Sequence, residues 1–435
     1  MFIKRFAEKE LLTWKNRLNR KPLILKGARQ VGKTRLIKEF GKTHFADIAY
    51  FNFDEEPDLK AFFLTTKDVN RIIEQLSMIR GEPIRKHETL LVFDEIQECV
   101  DAINFLKYIA ENAPEFAVIA AGSLLGVSMG KMNSFPVGKV EFLDLYPIQF
   151  AEYLFSYQPN LYEYIEQLSG EEPIPALFFN QIREQFVVFT QFGGMPEVLQ
   201  HYVAQMNAAE SEMILKNLLL SYNYDFSKHA EIKDVPRIHL IWESLPSQLA
   251  KENKKFMYQH IKEGARARDY EDAINWLVRS GLVYKIHLNK TPRLPISAYD
   301  DLSAFKLYGL DIGIIRSLAH LPRLSFIELH QLFVEFKGSL AENYVLQSLL
   351  AQGFDLPRYW SSSGKAEVDF IIQHKTEIIP IEVKSGSNVK AKSLMEYEKA
   401  YNPSRMIRFS ALNIQRQGKL VNLPIFLADW VLKWV

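Results

Sequence analysis

Residues 23–34 read Leu-Ile-Leu-Lys-Gly-Ala-Arg-Gln-Val-Gly-Lys-Thr, and this stretch decides the fold. Its apolar beginning predicts a short buried strand, and Gly27 to Thr34 fits the phosphate-loop pattern G-x-x-x-x-G-K-[ST]. Glycines let such a loop turn tightly, so that its backbone N–H groups can face a phosphate. A helix beginning at Gly32–Lys33 would add the positive end of its dipole. The pattern therefore predicts a strand–loop–helix unit that binds a nucleotide.

The expected nucleotide-binding residues are the whole loop and the residue after it: Gly27, Ala28, Arg29, Gln30, Val31, Gly32, Lys33, Thr34 and Arg35. Lys33 would contact the β- and γ-phosphates of ATP, and the Thr34 hydroxyl would bind Mg²⁺. A chance match to the pattern is the alternative, but a chance match would lack the apolar strand before the loop and the helix after it.

A second motif, Leu-Leu-Val-Phe-Asp-Glu at residues 90–95, is an apolar strand that ends in two carboxylates. Asp94 would hold the Mg²⁺ ion, and Glu95 would polarise the water that attacks the γ-phosphate. Nucleotide kinases usually lack this second acidic residue, so Glu95 favours hydrolysis over phosphotransfer. The alternative is a strand that ends in a solvated acidic turn.

The next apolar strand, Phe116 to Ala121, runs into Gly122-Ser123. Ser123 could contact the γ-phosphate or position water; the alternative is a serine that caps a helix or stabilises a turn. ATP hydrolysis also needs an arginine to neutralise charge in the transition state, and the sequence does not choose among the candidates. These are Arg29, Arg35, Arg183, Arg237, Arg266 and Arg268.

Composition excludes several classes of protein. The chain has 435 residues, 53 basic against 52 acidic, and one cysteine. Near-neutrality excludes a strongly basic nucleic-acid coat protein, and a single cysteine excludes an internal disulfide framework and a zinc site of several thiolates. No apolar run is long enough for a membrane span, and charges interrupt the first ten residues where a signal peptide would be apolar. We expect a soluble, cytoplasmic protein without a membrane partner.

Five stretches together resemble a known family: GARQVGKT (27–34), LLVFDEIQ (90–97), AAGSLLG (120–126), FPVGKVEFLDLYPIQFAEYL (135–154) and GGMPEV (193–198). They resemble prokaryotic AAA-type ATPases that are related to the origin-recognition and signal-transduction ATPases and carry a C-terminal domain of unknown function. The resemblance implies ATP binding and hydrolysis with Mg²⁺. Members usually have Gly-Arg where this chain has Gly138-Lys139, so an arginine-specific role is not expected there.

The segment from Phe256 to His287 resembles a winged helix-turn-helix. Basic residues cluster around its first part: Lys251, Lys254, Lys255, Lys262, Arg266 and Arg268. This local excess of positive charge could hold DNA phosphates. The alternative is a solvated helix face or a module that packs against another domain.

Near the C terminus, residues 367–372 and 378–384 bracket a polar turn and predict a β-hairpin. If His374 lies opposite Glu377, Asp369 lies opposite Glu382 on the same face of the sheet. Facing carboxylates repel unless a cation lies between them, so we expect a second divalent metal held by Asp369 and Glu382. Lys384 would then orient a nucleophilic water.

With Glu342 on the preceding helix, this arrangement resembles the PD-(D/E)xK nuclease-like fold. The resemblance implies that Asp369 and Glu382 are metal ligands, Lys384 positions water and Glu342 is an auxiliary ligand. The fold includes members that bind without cleaving, so a nuclease and a degenerate structural module both stay open.

The expected fold class is α/β: a P-loop NTPase parallel sheet, a helical and winged-helix region, and a C-terminal α/β restriction-endonuclease-like domain. We expect an ATPase core at 1–150, a helical lid at 151–230, a winged-helix-like region at 231–299 and a nuclease-like domain at 300–435. The leading hypothesis is an ATP-dependent switch that acts on DNA. The alternatives are an ATP-gated, metal-dependent nuclease and a non-cleaving scaffold for protein partners.

Overall fold

The computed structural model describes residues 3–129, 135–170, 172–251, 255–323, 334–362, 366–384 and 392–435. The chain forms two compact units. The N-terminal unit contains residues 4–146 with 279–281, and the C-terminal unit is mainly residues 147–278 and 282–435. Apart from residues 279–281, the regions expected as helical lid, winged helix and nuclease-like domain lie in the C-terminal unit.

The N-terminal unit contains a five-stranded sheet in the order β2-β3-β4-β1-β5. All its pairings are parallel, which confirms the expected parallel α/β sheet. Its strands are β1 (Leu23–Lys26), β2 (Asp47–Asn52), β3 (Thr89–Asp94), β4 (Ala117–Ala121) and β5 (Glu141–Asp144). Parallel strands end at the same edge of a sheet, so this order brings the ends of β1, β3 and β4 together.

Six helices of the N-terminal unit accompany these strands: α1 (Ala7–Lys15), α2 (Lys33–His44), α3 (Lys60–Thr65), α4 (Val69–Arg80), α5 (Val100–Asn112) and α6 (Leu125–Met129). The apolar residues of β3 and β4 are fully buried. Aromatic rings fill the core beside β3, where Phe63 packs edge-on against Phe53 and Phe93 with ring centroids 5.5 and 5.7 Å apart. This rigid core fixes the strand ends that carry the polar motifs.

The C-terminal unit begins with helices over the region where a helical lid was expected. Its helices are α7 (Phe150–Tyr157), α8 (Pro159–Glu166), α9 (Ala176–Phe192), α10 (Pro196–Gln205), α11 (Ala208–His229), α12 (Val235–Leu249), α13 (Ala267–Arg279), α14 (Ile312–Leu318), α15 (Val334–Ala351) and α16 (Lys392–Tyr401).

The Gly-Gly-Met-Pro turn lies between α9 and α10, and the backbone of its second glycine packs closely against neighbouring residues. Gly194 donates its N–H to Asp311 Oδ2 at 2.7 Å. A Cβ on Gly194 would lie 2.1 Å from the Ile148 carbonyl oxygen, which cannot move away as a flexible side chain could. The glycine is therefore needed for packing within the C-terminal unit.

An eight-stranded sheet of order β12-β13-β11-β10-β9-β8-β6-β7 forms the rest of the C-terminal unit. Its strands are β6 (Val283–Asn289), β7 (Asp300–Gly309), β8 (Arg358–Ser361), β9 (Glu367–His374), β10 (Glu377–Val383), β11 (Met406–Ser410), β12 (Gln415–Gln417) and β13 (Leu420–Pro424). Strand β6, which begins in the segment expected to be a winged helix, pairs antiparallel with β7 and belongs to the same sheet as the C-terminal hairpin.

Candidate functional site

The loop between β1 and α2 has the backbone conformation that its glycines predict. Gly27 and Gly32 have φ values of +147° and +96°, where a side chain would be strained. A Cβ on Gly27 would also lie 2.3 Å from the carbonyl oxygen of Leu145. Gly32 is the N-cap of α2, and no side chain caps that helix end. An N-cap residue without a side chain leaves space for an anion at the start of α2.

Lys33, the first residue of α2, has its ammonium inside the loop. Lys33 Nζ donates to the carbonyl oxygens of Gly27 at 2.9 Å and Ala28 at 2.8 Å. The residue is 6% exposed. Burial lowers the pKa of Lys33 to about 8, although the carboxylates of Glu95 and Asp94 act in the opposite direction. A buried ammonium at a helix N-terminus is suited to binding phosphate.

Thr34 and Asp94, the two residues expected to bind Mg²⁺, lie in direct contact. The Thr34 hydroxyl donates to Asp94 Oδ2 at 2.7 Å. Asp94 is the last residue of β3 and is 2% exposed. Tyr50, on the adjacent strand β2, donates its hydroxyl to the same oxygen at 2.7 Å. Burial, and then the hydrogen bond to Asp94, raise the pKa of Tyr50, so it stays a neutral donor.

Glu95 directly follows Asp94 with a left-handed φ of +49°. This conformation turns the chain so that the N–H of Glu95 donates to Asp94 Oδ1 at 3.0 Å. The Glu95 carboxylate accepts a hydrogen bond from Ser123 Oγ at 3.2 Å and another from Gln97 Nε2. Ser123, expected to act near the γ-phosphate, thus contacts the residue expected to polarise water.

These residues fit magnesium and a nucleotide. Mg²⁺ prefers hard oxygen ligands in an octahedral arrangement, and the Thr34 hydroxyl and Asp94 carboxylate supply two adjacent oxygens. The glycine loop, the α2 N-terminus and Lys33 supply donors and positive charge for phosphates. Magnesium would be held by Thr34 and Asp94, and it would neutralise phosphate charge there.

Sequence reasoning missed three residues of this site: Arg5, Tyr50 and Gln97. Arg5 is 5% exposed and donates to the carbonyl oxygens of Val31 at 2.8 Å and Tyr146 at 2.5 Å. For Tyr50 and Gln97 the sequence did carry a signal, because Tyr50 is a polar residue near the end of β2 and Gln97 is a polar residue shortly after β3. For Arg5 the sequence carries no such signal, because it lies far from the loop along the chain.

All six candidate arginines for transition-state stabilisation, Arg29 among them, are half-buried or exposed. Arg35 is 62% exposed and pairs with Glu39 at 3.3 Å, and Arg237 pairs with Asp234 at 3.2 Å. The side chains of Arg183, Arg266 and Arg268 are exposed.

The expected DNA-binding residues precede α13 or begin it. Lys251, Lys262, Arg266 and Arg268 are exposed, Lys255 is half-buried, and Lys254 lies outside the described residues. Arg268 also approaches Asp269 at 3.8 Å. The exposed cations are thus available to a polyanion, and the helix that follows them packs inward through Tyr270, Ala273, Ile274 and Leu277.

The C-terminal hairpin forms in the expected register, with His374 opposite Glu377 and Phe370 opposite Ile381. Beyond these pairs, Asp369 Oδ2 accepts the N–H of Val383 at 2.8 Å. Lys384 Nζ lies 2.6 Å from Glu382 Oε1.

Two further carboxylates, Glu342 and Glu367, join Asp369 and Glu382 in an acidic cluster of the C-terminal unit. Glu342 Oε2 accepts the hydroxyl of Tyr308 at 2.9 Å. Lys306 is fully buried and forms an ion pair with Glu367. Burial acts to lower the pKa of Lys306, but the surrounding carboxylates outweigh this effect and raise it overall, namely those of Glu367, Glu342 and Asp369.

The expected second metal site finds little support in these contacts. Within the described ranges, no group of three or more His, Cys, Asp or Glu side chains is arranged to hold a metal ion.

In the described part of the chain, no helix combines the length and apolar character needed to cross a membrane.

Comparison with known families divides the chain in three. Residues 19–154 match the family described as "AAA domain". Residues 183–325 and 337–426 match two families described as domains of unknown function, DUF8612 and DUF4143. No curated protein matches the sequence.

Among solved structures, the chain is similar to a Walker-type ATPase of Pyrococcus abyssi, with 15% identity, 73% of this chain and 96% of that chain covered, and a TM-score of 0.47. It is also similar to Drosophila ORC bound to DNA, with 15% identity, 72% and 94% coverage, and a TM-score of 0.27. The ORC1 protein of Aeropyrum pernix in complex with DNA matches with 13% identity, 74% and 94% coverage, and a TM-score of 0.25.

TM-scores this low carry no argument about this chain. The family match stands by itself, and it coincides with the loop, the acidic strand end and the parallel sheet. Residues 19–154 therefore match the AAA domain family over the part of the chain that contains all three features.

Proposed function

We propose that this protein binds and hydrolyses ATP with Mg²⁺ and uses the nucleotide cycle as a switch. The observation that carries the proposal is the contact of Thr34 with Asp94 beside the buried Lys33. Lys33 and the loop N–H groups would bind the phosphates, and Glu95 would polarise the attacking water.

ATP turnover by the full chain tests this proposal. Lys33→Ala is expected to abolish nucleotide binding, because it removes the only expected phosphate-binding ammonium. Glu95→Gln is expected to bind ATP but to lose hydrolysis, because the amide cannot accept a proton. Turnover that survives both substitutions would show that the activity, if any, does not arise at this site.

We further propose DNA as the partner of the switch. The support is the group of exposed cations that precedes and begins α13, at Lys251, Lys262, Arg266 and Arg268. Binding of fluorescently labelled duplex DNA, followed by anisotropy with and without ATP, measures this directly. The double substitution Arg266→Ala with Arg268→Ala should weaken binding and reduce its salt dependence by about two counterions. Affinity and salt slope that do not change would remove this surface as the contact.

A nuclease gated by ATP is the alternative function of the C-terminal unit. One observation favours it: Lys384 contacts Glu382, next to Asp369 on the neighbouring strand, as the nuclease-like resemblance requires. This alternative predicts Mg²⁺- or Mn²⁺-dependent DNA cleavage that disappears in Asp369→Ala and Glu382→Ala. A scaffold that binds protein partners predicts no cleavage by any of these proteins. The engagement of each carboxylate by a protein donor favours a non-cleaving unit.

A further inference from the structure

In the acidic cluster of the C-terminal unit, the protein supplies each carboxylate with at least one donor, and among the described residues Glu382 Oε2 is buried without a hydrogen-bond partner. Each of its four carboxylates accepts from a different group: Glu342 from Tyr308, Asp369 from the Val383 N–H, Glu382 from Lys384 and Glu367 from Lys306. Glu342 and Glu382 are 3% and 2% exposed, so water cannot solvate their charges. A buried carboxylate is tolerated only when it is paired or hydrogen-bonded, and here the chain provides both kinds of partner.

Lys306 is the least expected member of this cluster. It lies on β7, two residues from Tyr308, so both side chains point to the same face of the strand. Its ammonium is fully buried, pairs with Glu367, and lies 4.6 Å from the centre of the Tyr359 ring. The carboxylates of Glu342 and Asp369 also act on its charge. A buried lysine of this kind is stable only because carboxylates surround it.

A divalent cation would need the same carboxylates. Metal-dependent hydrolysis requires several oxygen ligands that converge on one point and leave a position for water. The described side chains of this cluster offer no such set of three. The ammonium of Lys306 also repels a second cation that would approach the same carboxylates.

We propose that Lys306 supplies, within the C-terminal acidic cluster, the positive charge that a divalent metal supplies in metal-dependent nucleases. The cluster therefore binds no divalent metal, and its ion pairs hold β7 against the start of β9. The C-terminal unit acts by binding rather than by cutting. This inference does not depend on ATP hydrolysis, because it concerns residues of the C-terminal unit alone.

Manganese binding tests the proposal directly. Mn²⁺ is titrated into the full chain carrying Asp94→Asn, which removes the expected ligand of the ATP site, and free Mn²⁺ is counted by electron paramagnetic resonance. We expect that adding Asp369→Asn or Glu382→Gln to this chain does not lower the amount of bound Mn²⁺. Bound Mn²⁺ that either addition removes would overturn the proposal, whereas bound Mn²⁺ that neither addition changes lies elsewhere and agrees with it.

Thermal unfolding of Lys306→Met gives a second, independent readout. Methionine keeps the apolar stem and removes the charge, so the unfolding midpoint should fall, and Mg²⁺ or Ca²⁺ should restore part of the loss. The control is Lys290→Met, which removes an ion pair with Asp301 from a lysine that is 65% exposed. Its midpoint should change little.

Two results would contradict the proposal. In the first, metal raises the unfolding midpoint of the natural chain as much as that of Lys306→Met. In the second, Lys306→Met unfolds at the same midpoint as Lys290→Met. Should Lys306→Met yield no folded protein, the manganese titration still decides, because it uses the chain with its natural Lys306.

Discussion

The hydroxyl of Thr34 and the carboxylate of Asp94 lie 2.7 Å apart although 60 residues separate them in the chain. The contact joins the first helix after the phosphate loop to the end of a neighbouring strand. Both oxygens are suited to Mg²⁺, so under the proposed function this pair would link nucleotide binding to the core of the parallel sheet.

Thr34→Val should lower kcat for ATP hydrolysis by about 100-fold, equivalent to about 3 kcal/mol of transition-state stabilisation. Valine has nearly the same shape but no oxygen for the metal. Thr34→Ser keeps the hydroxyl and is the matched control, with activity within a few-fold of the natural chain. Steady-state turnover at saturating Mg²⁺ measures the difference. Equal rates for valine and serine would show that this hydroxyl has no part in catalysis.

Nucleotide affinity should decrease as the pH rises above about 8, because the pKa of Lys33 is lowered to about 8 by burial. Below that pH the ammonium is charged and can pair with phosphate; above it the neutral amine cannot. Fluorescent nucleotide binding between about pH 7 and pH 9.5 gives the profile. Lys33→Arg keeps its charge throughout this range, so its affinity, even if weaker, should not change with pH.

Arg5→Met should raise the KM for ATP more than it changes kcat. Arg5 donates to the carbonyl of Val31 inside the phosphate loop and to that of Tyr146, so it fixes the loop rather than touching the reacting atoms. Its loss leaves buried carbonyls unpaired, at a cost of about 1–3 kcal/mol in stability.

Arg17→Met is the control for Arg5→Met. It removes an ion pair with Glu141 from a side chain that is 53% exposed, so stability and KM should barely move. A KM unchanged in Arg5→Met would limit Arg5 to a structural role.

Gln97→Leu should lower kcat by about tenfold while ATP affinity stays unchanged. The Gln97 amide contacts the Glu95 carboxylate and no residue of the phosphate loop, so its loss disturbs only the orientation of the expected base. Gly122→Ala provides an independent route, because its Cβ would lie 2.3 Å from Gln97 Oε1 and displace that side chain. Normal kcat in both variants would exclude a positioning role for Gln97.

The stability of the C-terminal unit should fall as the pH rises from about 4 to about 6. Burial raises the pKa of Asp429 from its ordinary 3.8 to about 6, so the folded protein keeps a proton that the unfolded chain releases in this interval. Integrated over the shift, the effect is about 3 kcal/mol.

Asp429→Asn removes one titrating group and should make this part of the profile less steep, while Asp311, whose pKa burial also raises to about 6, keeps the remainder. Its amide oxygen can still accept the N–H of Ala151, which Asp429 Oδ2 accepts at 2.9 Å. Chemical denaturation at several pH values compares the two chains. A natural chain and an Asp429→Asn variant with parallel profiles would show that Asp429 does not cause the dependence.

The local parts of both candidate sites could be predicted from the sequence. The phosphate loop is one continuous segment whose glycines dictate its backbone, and Asp94 and Glu95 follow a strand that is apolar throughout. The hairpin register from Phe370 to Ile381 was equally predictable, because a short turn and the two-residue period of strands fix it.

The sequence by itself determined the elements, the loop conformation and the residue types at the ends of strands. Only the tertiary structure decided which of those ends meet: Ser123 at Glu95, Arg5 at Val31 and Lys306 at Glu367. Such contacts depend on strand order and on burial. In a dry interior every charge must find a partner, and that partner is set by the packing of distant segments rather than by the neighbouring sequence.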